Sequence, residues 1–176
     1  MANYFVDTEF TDLPWNDRSH LLWIAVVDES GSREFSAVVE DCPLDSCSSF
    51  VRANVLPKAN VEPIKLSRDT IAKRLAAIVD DAPTFWAWCP SLEDIALLGG
   101  HEEAPYRYEH YRDWDHQLMV GLFEERPELW PPNCEDLHSL ADDSAIELPL
   151  NPNPHHPLSD ARWGREVWRL ALQARS

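Results

Sequence analysis

Asn3-Tyr4-Phe5-Val6-Asp7-Thr8-Glu9-Phe10 carries the chain from a short apolar run directly into two acids. Tyr4, Phe5 and Val6 are residue types that favour a pleated backbone, which predicts a strand over 2–9. Side chains alternate along a strand, so Asp7 and Glu9 project from one face. Two like charges side by side at the end of a buried strand repel each other and lose hydration. A divalent cation removes that penalty. Taken alone, Asp-x-Glu is more often a strand ending in a solvated loop than a metal site.

A second constellation near the other end changes the balance. Asn153-Pro154-His155-His156-Pro157-Leu158-Ser159-Asp160-Ala161-Arg162 leads into an apolar-periodic stretch that runs to Ser176. Pro157 suits the first turn of a helix, where its missing N–H leaves no bond unmade. From Asp160 the inward positions at helical spacing are Gly164, Val167 and Ala171, with Trp163 and Leu170 beside them. Asp160 thus falls on the packed stripe of its own helix, a poor place for an uncompensated charge. His155 lies five residues earlier, in the Pro-rich loop that enters the helix. A capping Asp beside a surface His is the plainer alternative for this segment by itself. Together with Asp7 and Glu9, the metal reading is favoured.

At this point the sequence resembles a known family, the DEDD-type 3′–5′ exonucleases, in the branch that uses a histidine. Asp7-Thr8-Glu9-Phe10 resembles their first motif, and His155-His156-Pro157-Leu158-Ser159-Asp160-Ala161 resembles their last. Phe85-Trp86-Ala87-Trp88-Cys89 followed by Glu93-Asp94-Ile95-Ala96-Leu97 resembles the second. Tyr4 to Phe10, Trp86-Ala87-Trp88 and Val51-Arg52-Ala53-Asn54-Val55-Leu56-Pro57-Lys58 are most similar to the small bacterial exoribonucleases, such as the polyadenylate-specific exoribonuclease AS. The resemblance follows the order of nearly the whole chain.

The resemblance implies an RNase H-like α/β fold, with a central mixed five-stranded sheet in the order 3-2-1-4-5 flanked by helices. It implies release of nucleoside monophosphates from the 3′ end of RNA by a two-metal mechanism, with Mg²⁺ or Mn²⁺ suited to an all-oxygen site. Asp7, Glu9 and Asp160 are then metal ligands, and His155 is the general base, a role that a near-neutral pKa suits. The fourth ligand is open. A gapless count from Trp86-Ala87-Trp88 places it on Glu93, while residue type favours Asp94, which is the expectation taken here. Phe10 and Trp15, just past the first motif, are candidates for stacking on a terminal base. The expected partner is RNA, single-stranded or with a 3′ overhang, and monomer or homodimer is left open.

Composition sets bounds. At 176 residues and 44% hydrophobic content, the chain is most economically one domain, 1–176. No run approaches the roughly 20 apolar residues of a membrane span. The first residues lack the pattern of a signal peptide. Cys42, Cys47, Cys89 and Cys134 have neither zinc-ligand spacing nor the density of a disulfide scaffold, which fits reduced thiols in a cytoplasmic protein.

The formal net charge of −16, with only 15 Lys and Arg, argues against a nucleic-acid enzyme, because affinity for polynucleotides comes mainly from neutralising phosphates. Solubility accounts for much of an acid excess. The rival reading is a non-catalytic RNase H-like module, or an acidic nucleic-acid mimic that binds a protein partner. A histidine at this spacing from Asp160 has no use in a decoy.

Along the chain, strands are expected near 2–9, 21–28, 33–39 and 84–89. Glu29-Ser30-Gly31-Ser32 supplies a hairpin turn. Helices are expected near 45–55, near 67–80 under a Ser67 cap, over 91–98, and from Trp114 to Glu125. Prolines break up the rest of 101–154. Of the eight tryptophans, Trp23, Trp86 and Trp168 are assigned to the core. His20, His101, His110, His116 and His138 read as surface or loop residues.

Overall fold

The computed structural model describes residues 2–13, 19–99 and 112–176. Six strands are present: β1 (Asn3–Phe10), β2 (Leu21–Asp28), β3 (Glu34–Val39), β4 (Lys65–Leu66), β5 (Thr84–Ala87) and β6 (Glu135–Asp136). They form one mixed sheet in the order β4-β3-β2-β1-β5-β6. β1, β2 and β3 are antiparallel neighbours, with Asp7 opposite Ala25 and Ile24 opposite Ala37. β5 runs parallel to β1, and β6 parallel to β5. Apart from the two-residue edge strand β4, parallel to β3, this is the expected RNase H-like order.

Seven helices surround the sheet among the described residues: α1 (Ser49–Asn54), α2 (Leu56–Val61), α3 (Arg68–Ile78), α4 (Leu92–Gly99), α5 (Trp114–Val120), α6 (Leu137–Asp143) and α7 (Pro157–Ala174). Leu21 to Val27 is an unbroken apolar run because β2 is buried on both faces. β1 alternates: Tyr4 and Val6 join the larger core with Ile24, Phe85 and Leu75, while Phe5 packs with Leu137, Leu140 and Ala171. By that alternation Asp7 and Glu9 share the face of Phe5, the face covered by α7.

Local signals explain most boundaries. Gly31 turns the β2–β3 hairpin at φ +71°, and the Asp28 carboxylate accepts from Ser30 Oγ and the Arg33 N–H. Ser67 Oγ accepts from the Thr70 N–H and opens α3. The expected helix over 45–55 is instead a 3₁₀ turn at Leu44–Ser46, then α1 under a Ser48 cap, then α2. Pro57, in the first turn of α2, cannot extend the preceding helix. The helix expected to reach Glu125 ends at Val120, before Gly121. The region assigned to loops holds β6 and α6; the Asp136 carboxylate accepts from the His138 and Ser139 N–H groups and caps α6. Trp23 is fully buried, and Trp86 and Trp168 pack edge to face beside Phe5.

α7 lies close to α6 and the sheet because its inward residues are small: Ala161, Gly164 and Ala171. A Cβ at Gly164 would stand 2.9 Å from Leu137 Cδ1. Gly164→Val is therefore expected to lower unfolding stability by about 1–3 kcal/mol through overpacking, read from the urea midpoint. An unchanged midpoint would mean that α6 and α7 separate freely.

Candidate active site

The site forms where β1 and β5 part. Their parallel pairing ends at Phe5 opposite Trp86, so the rest of β1 has no strand on that side. Ligand crevices of open α/β sheets lie at the carboxyl ends of such strands. A register irregularity between Glu9 and Phe10 ends the regular pairing of β1 with β2. The Thr11 carbonyl then accepts from the Ser48 N–H at 2.8 Å, which holds the start of α1 against the same crevice.

Carboxylate oxygens of Asp7, Glu9 and Asp160 lie within 4.8 Å of one another. They line a cavity of about 630 Å³, together with Asp115, His155 and an aromatic wall that includes Phe10, Phe50, Trp88, Trp114 and Trp163. Burial raises the Asp7 pKa well above the usual carboxylate range, and Asp115, Asp160 and Glu9 push it further the same way. Glu9 is raised by burial, against the opposing pull of His155. Asp160 is raised by burial too, although the Asn151 side-chain amide and the His156 N–H both donate to it. Such a cluster is short of positive charge. Neither Lys nor Arg is among the described lining residues.

Asp160 sits in the first turn of α7, where the helix dipole favours an anion. His156 is the N-cap, and its N–H donates to Asp160 Oδ2 at 3.1 Å. Asn151 also accepts from Ser159 Oγ, tying the Pro-rich loop to the helix that it enters. Lys58 Nζ donates to the Pro154 carbonyl and clamps the loop from α2. His155 is held at φ +58°, a conformation rare for a side chain with a Cβ, which aims its ring away from the ring of its neighbour. His155 Nδ1 stands 3.6 Å from Glu9 Oε1, and its ring meets Phe50 edge-on at 5.1 Å. The Glu9 carboxylate raises the His155 pKa, with burial opposing. The His156 ring instead packs on Trp23 at 4.5 Å and faces Glu62.

Asp94 and Glu93 are elsewhere. Both are exposed in the first turn of α4, and Asp94 Oδ2 accepts from the Ser91 N–H and hydroxyl as a local cap. Neither lines the cavity. Two further acids line the cavity: Asp12, just past β1, and Asp115 on α5, 5% exposed, whose Oδ1 accepts from the Thr8 N–H at 3.0 Å and from Thr8 Oγ1 at 2.6 Å. Thr8 can donate its N–H in this way because β5 has already diverged from β1. The signal for Asp115 was present in the sequence: it lies on one stripe with Leu118, Met119 and Leu122, as Asp160 does on α7. Phe10 lines the cavity with its ring 5.4 Å from Trp114, while Trp15 lies outside the described residues.

Two other histidines depart from expectation. His116 is not a surface residue but wholly buried beside Phe85, with neither ring nitrogen hydrogen-bonded and its pKa lowered by burial. His138 stacks on Trp88 at 4.7 Å. His101 and His110 lie outside the described residues.

Neither a family model nor a curated sequence matches this chain. Among solved structures it is similar to that of a 3′-exonuclease, described as "3'-end specific recognition of histone mRNA stem-loop by 3'-exonuclease". The match has a TM-score of 0.49 and 10% identity over 98% of this chain and 64% of that one. The chain thus spans less than two thirds of that structure's length. Among the described residues, no helix is long and apolar enough to cross a membrane.

Burial pushes the Asp115 pKa up to about 7, helped by Glu9 and Asp160 and opposed by the Thr8 bonds. A carboxyl raised on folding holds its proton longer in the folded state, so stability falls as pH rises from about 4 to about 7. Asp115→Asn, whose amide oxygen can still accept from Thr8, should gain on the order of 1–3 kcal/mol at pH 7 in EDTA. At pH 4 the gain should vanish. Thermal unfolding across that range checks this, and a gain independent of pH would contradict it.

Proposed function

We propose that the chain is a metal-dependent 3′–5′ exoribonuclease that releases nucleoside monophosphates. The observation that carries this reading is the convergence of Asp7, Glu9 and Asp160 within 4.8 Å beside His155 in one cavity. An oxygen-only donor set, half-buried and with neither Lys nor Arg among the described lining residues, fits Mg²⁺ or Mn²⁺. Asp7, Glu9 and Asp160 would hold the metal, and Asp115 is the fourth acid in place of Asp94. When bound, a metal pair supplies polarisation of the scissile phosphate and offsets charge on the leaving 3′ oxygen.

The protein's own residues do the rest. His155, half-exposed at the cavity mouth, takes the proton of the attacking water at whichever ring nitrogen faces it. Glu9 orients that ring and favours its protonated form once the proton has been taken. Asn151 and the His156 N–H fix Asp160 against rotation. Thr8 fixes Asp115 on the other flank of β1. In the metal-free protein Glu9 raises the His155 pKa. The His155 ring is therefore expected to titrate above the ordinary histidine pKa of about 6.5 in EDTA, read from its ring NMR signals.

The test is single-turnover cleavage of a short 3′-labelled RNA at saturating Mg²⁺ or Mn²⁺. Asp7→Ala and Asp160→Asn should abolish release of monophosphate, and Asp115→Asn should cost far more than Asp94→Ala. His155→Ala should slow turnover by about 10²–10⁴-fold, whereas His156→Ala should change it little. Activity retained in Asp7→Ala, or a loss confined to His156→Ala, would refute the assignment. If Mg²⁺ and Mn²⁺ leave the unfolding temperature unchanged and no RNA is cut, the acidic-mimic reading takes its place.

A further inference from the structure

Resting on that reading, we infer that Lys58 is a positioning residue: by holding the Pro154 carbonyl it fixes the backbone that sets the His155 ring beside the acid cluster. Two peptide planes meet at the His155 Cα. The one before it carries the Pro154 carbonyl, which accepts from Lys58 Nζ. The one after it carries the His156 N–H, which donates to Asp160 Oδ2 at 3.1 Å. φ relates the first plane to the Cα and ψ relates the second, so one side-chain hydrogen bond bears on each dihedral.

That double hold matters because His155 stands at φ +58°, which a residue with a Cβ adopts only at a cost. Such a conformation persists where its surroundings over-determine it. Without Lys58 the first plane is free to turn, φ can relax to a negative value, and the ring shifts from its place 3.6 Å from Glu9 Oε1. The other side is already rigid, since the Ser159 and Asp160 N–H groups both donate to the His156 carbonyl in the first turn of α7. Lys58 supplies the restraint that the helix does not.

α2 is a firm base for this bond. The Lys58 and Ala59 N–H groups both donate to the Val55 carbonyl, and Val55 and Ala59 are buried. One turn further along, Glu62 Oε2 stands 3.8 Å from His156 Nε2, while the His156 ring packs on Trp23 at 4.5 Å. Lys58 and Glu62, four residues apart, thus address the residues on either side of His155. Phe50 of α1 closes a third side, edge-on to the His155 ring at 5.1 Å. Lys58 is not among the described lining residues of the cavity, so its bond acts on the loop from behind.

Lys58→Met keeps the stem and removes the donor, whereas Lys58→Arg keeps a donor. With Mn²⁺ and a short RNA, Lys58→Met should lower kcat by about 10- to 100-fold and change KM by less than about threefold. Lys58→Arg should restore most of the loss. In a His155→Ala background, Lys58→Met should cost less than about a further threefold, because a residue that acts through His155 has nothing left to position. In the metal-free protein, NMR contacts between the His155 and Phe50 rings should weaken in Lys58→Met and persist in Lys58→Arg. An unchanged kcat, unchanged ring contacts, a loss confined to KM, or the same loss with His155 removed would overturn the inference and leave the exoribonuclease reading intact. A wild-type protein that cuts no RNA would overturn both.

Discussion

The constraint on which this structure depends is that a central strand must present two carboxylates from a face that is otherwise packed. Asp7 and Glu9 follow Phe5 on the side of β1 that α7 covers, so the helix must come close near Phe5 and stand clear beyond it. Small residues solve the first half. Ala25, opposite Asp7, and Ala161 and Gly164 on α7 allow close approach without a bulky side chain over the acids. The second half is solved at the N-terminus of α7, where the chain leaves the helix as a Pro-rich loop and the floor becomes a cavity. Asp160 stands at that transition, near the positive end of the helix dipole.

The sheet contributes as much as the helix. Because β5 pairs with β1 only as far as Phe5, the outer half of β1 keeps free hydrogen-bonding groups on that edge. One of them, the Thr8 N–H, is satisfied by Asp115 rather than by a strand. An acid is thereby carried to the cluster by the same backbone that bears Asp7 and Glu9. The unfavourable concentration of charge and the unfinished ladder are thus two aspects of one arrangement, in which burial raises the pKa values of Asp7, Glu9, Asp115 and Asp160 together.

Much of this was legible in the chain. The apolar run ending in Asp-x-Glu placed β1 and its acids. The buried stripe containing Asp160 placed the second wall, and the continuous apolar β2 and the Gly31 turn placed the hairpin. Asp94, expected as the fourth ligand, and its alternative Glu93 stand outside the cavity, at a helix start where carboxylates are favoured for local reasons. Ser91 accounts for Asp94 fully. Asp115 was overlooked inside a stretch dominated by prolines and tryptophans, although its position on the apolar stripe of α5 carried the same signal as Asp160. β6 and α6 escaped notice since a two-residue strand has no periodicity to detect. His116 was misjudged because a histidine without a partner is seldom buried whole.

The acids and the histidine come from four separate stretches: β1, α5, the loop after α6, and the first turn of α7. None of these can hold its neighbour's carboxylate until both have docked on the sheet. The cluster therefore exists only in the docked fold, built from parts that are individually inert, and the helix that carries Asp160 is as necessary to it as β1. Loss of docking at one stretch therefore removes the cluster as a whole, since no single element carries more than two of its groups.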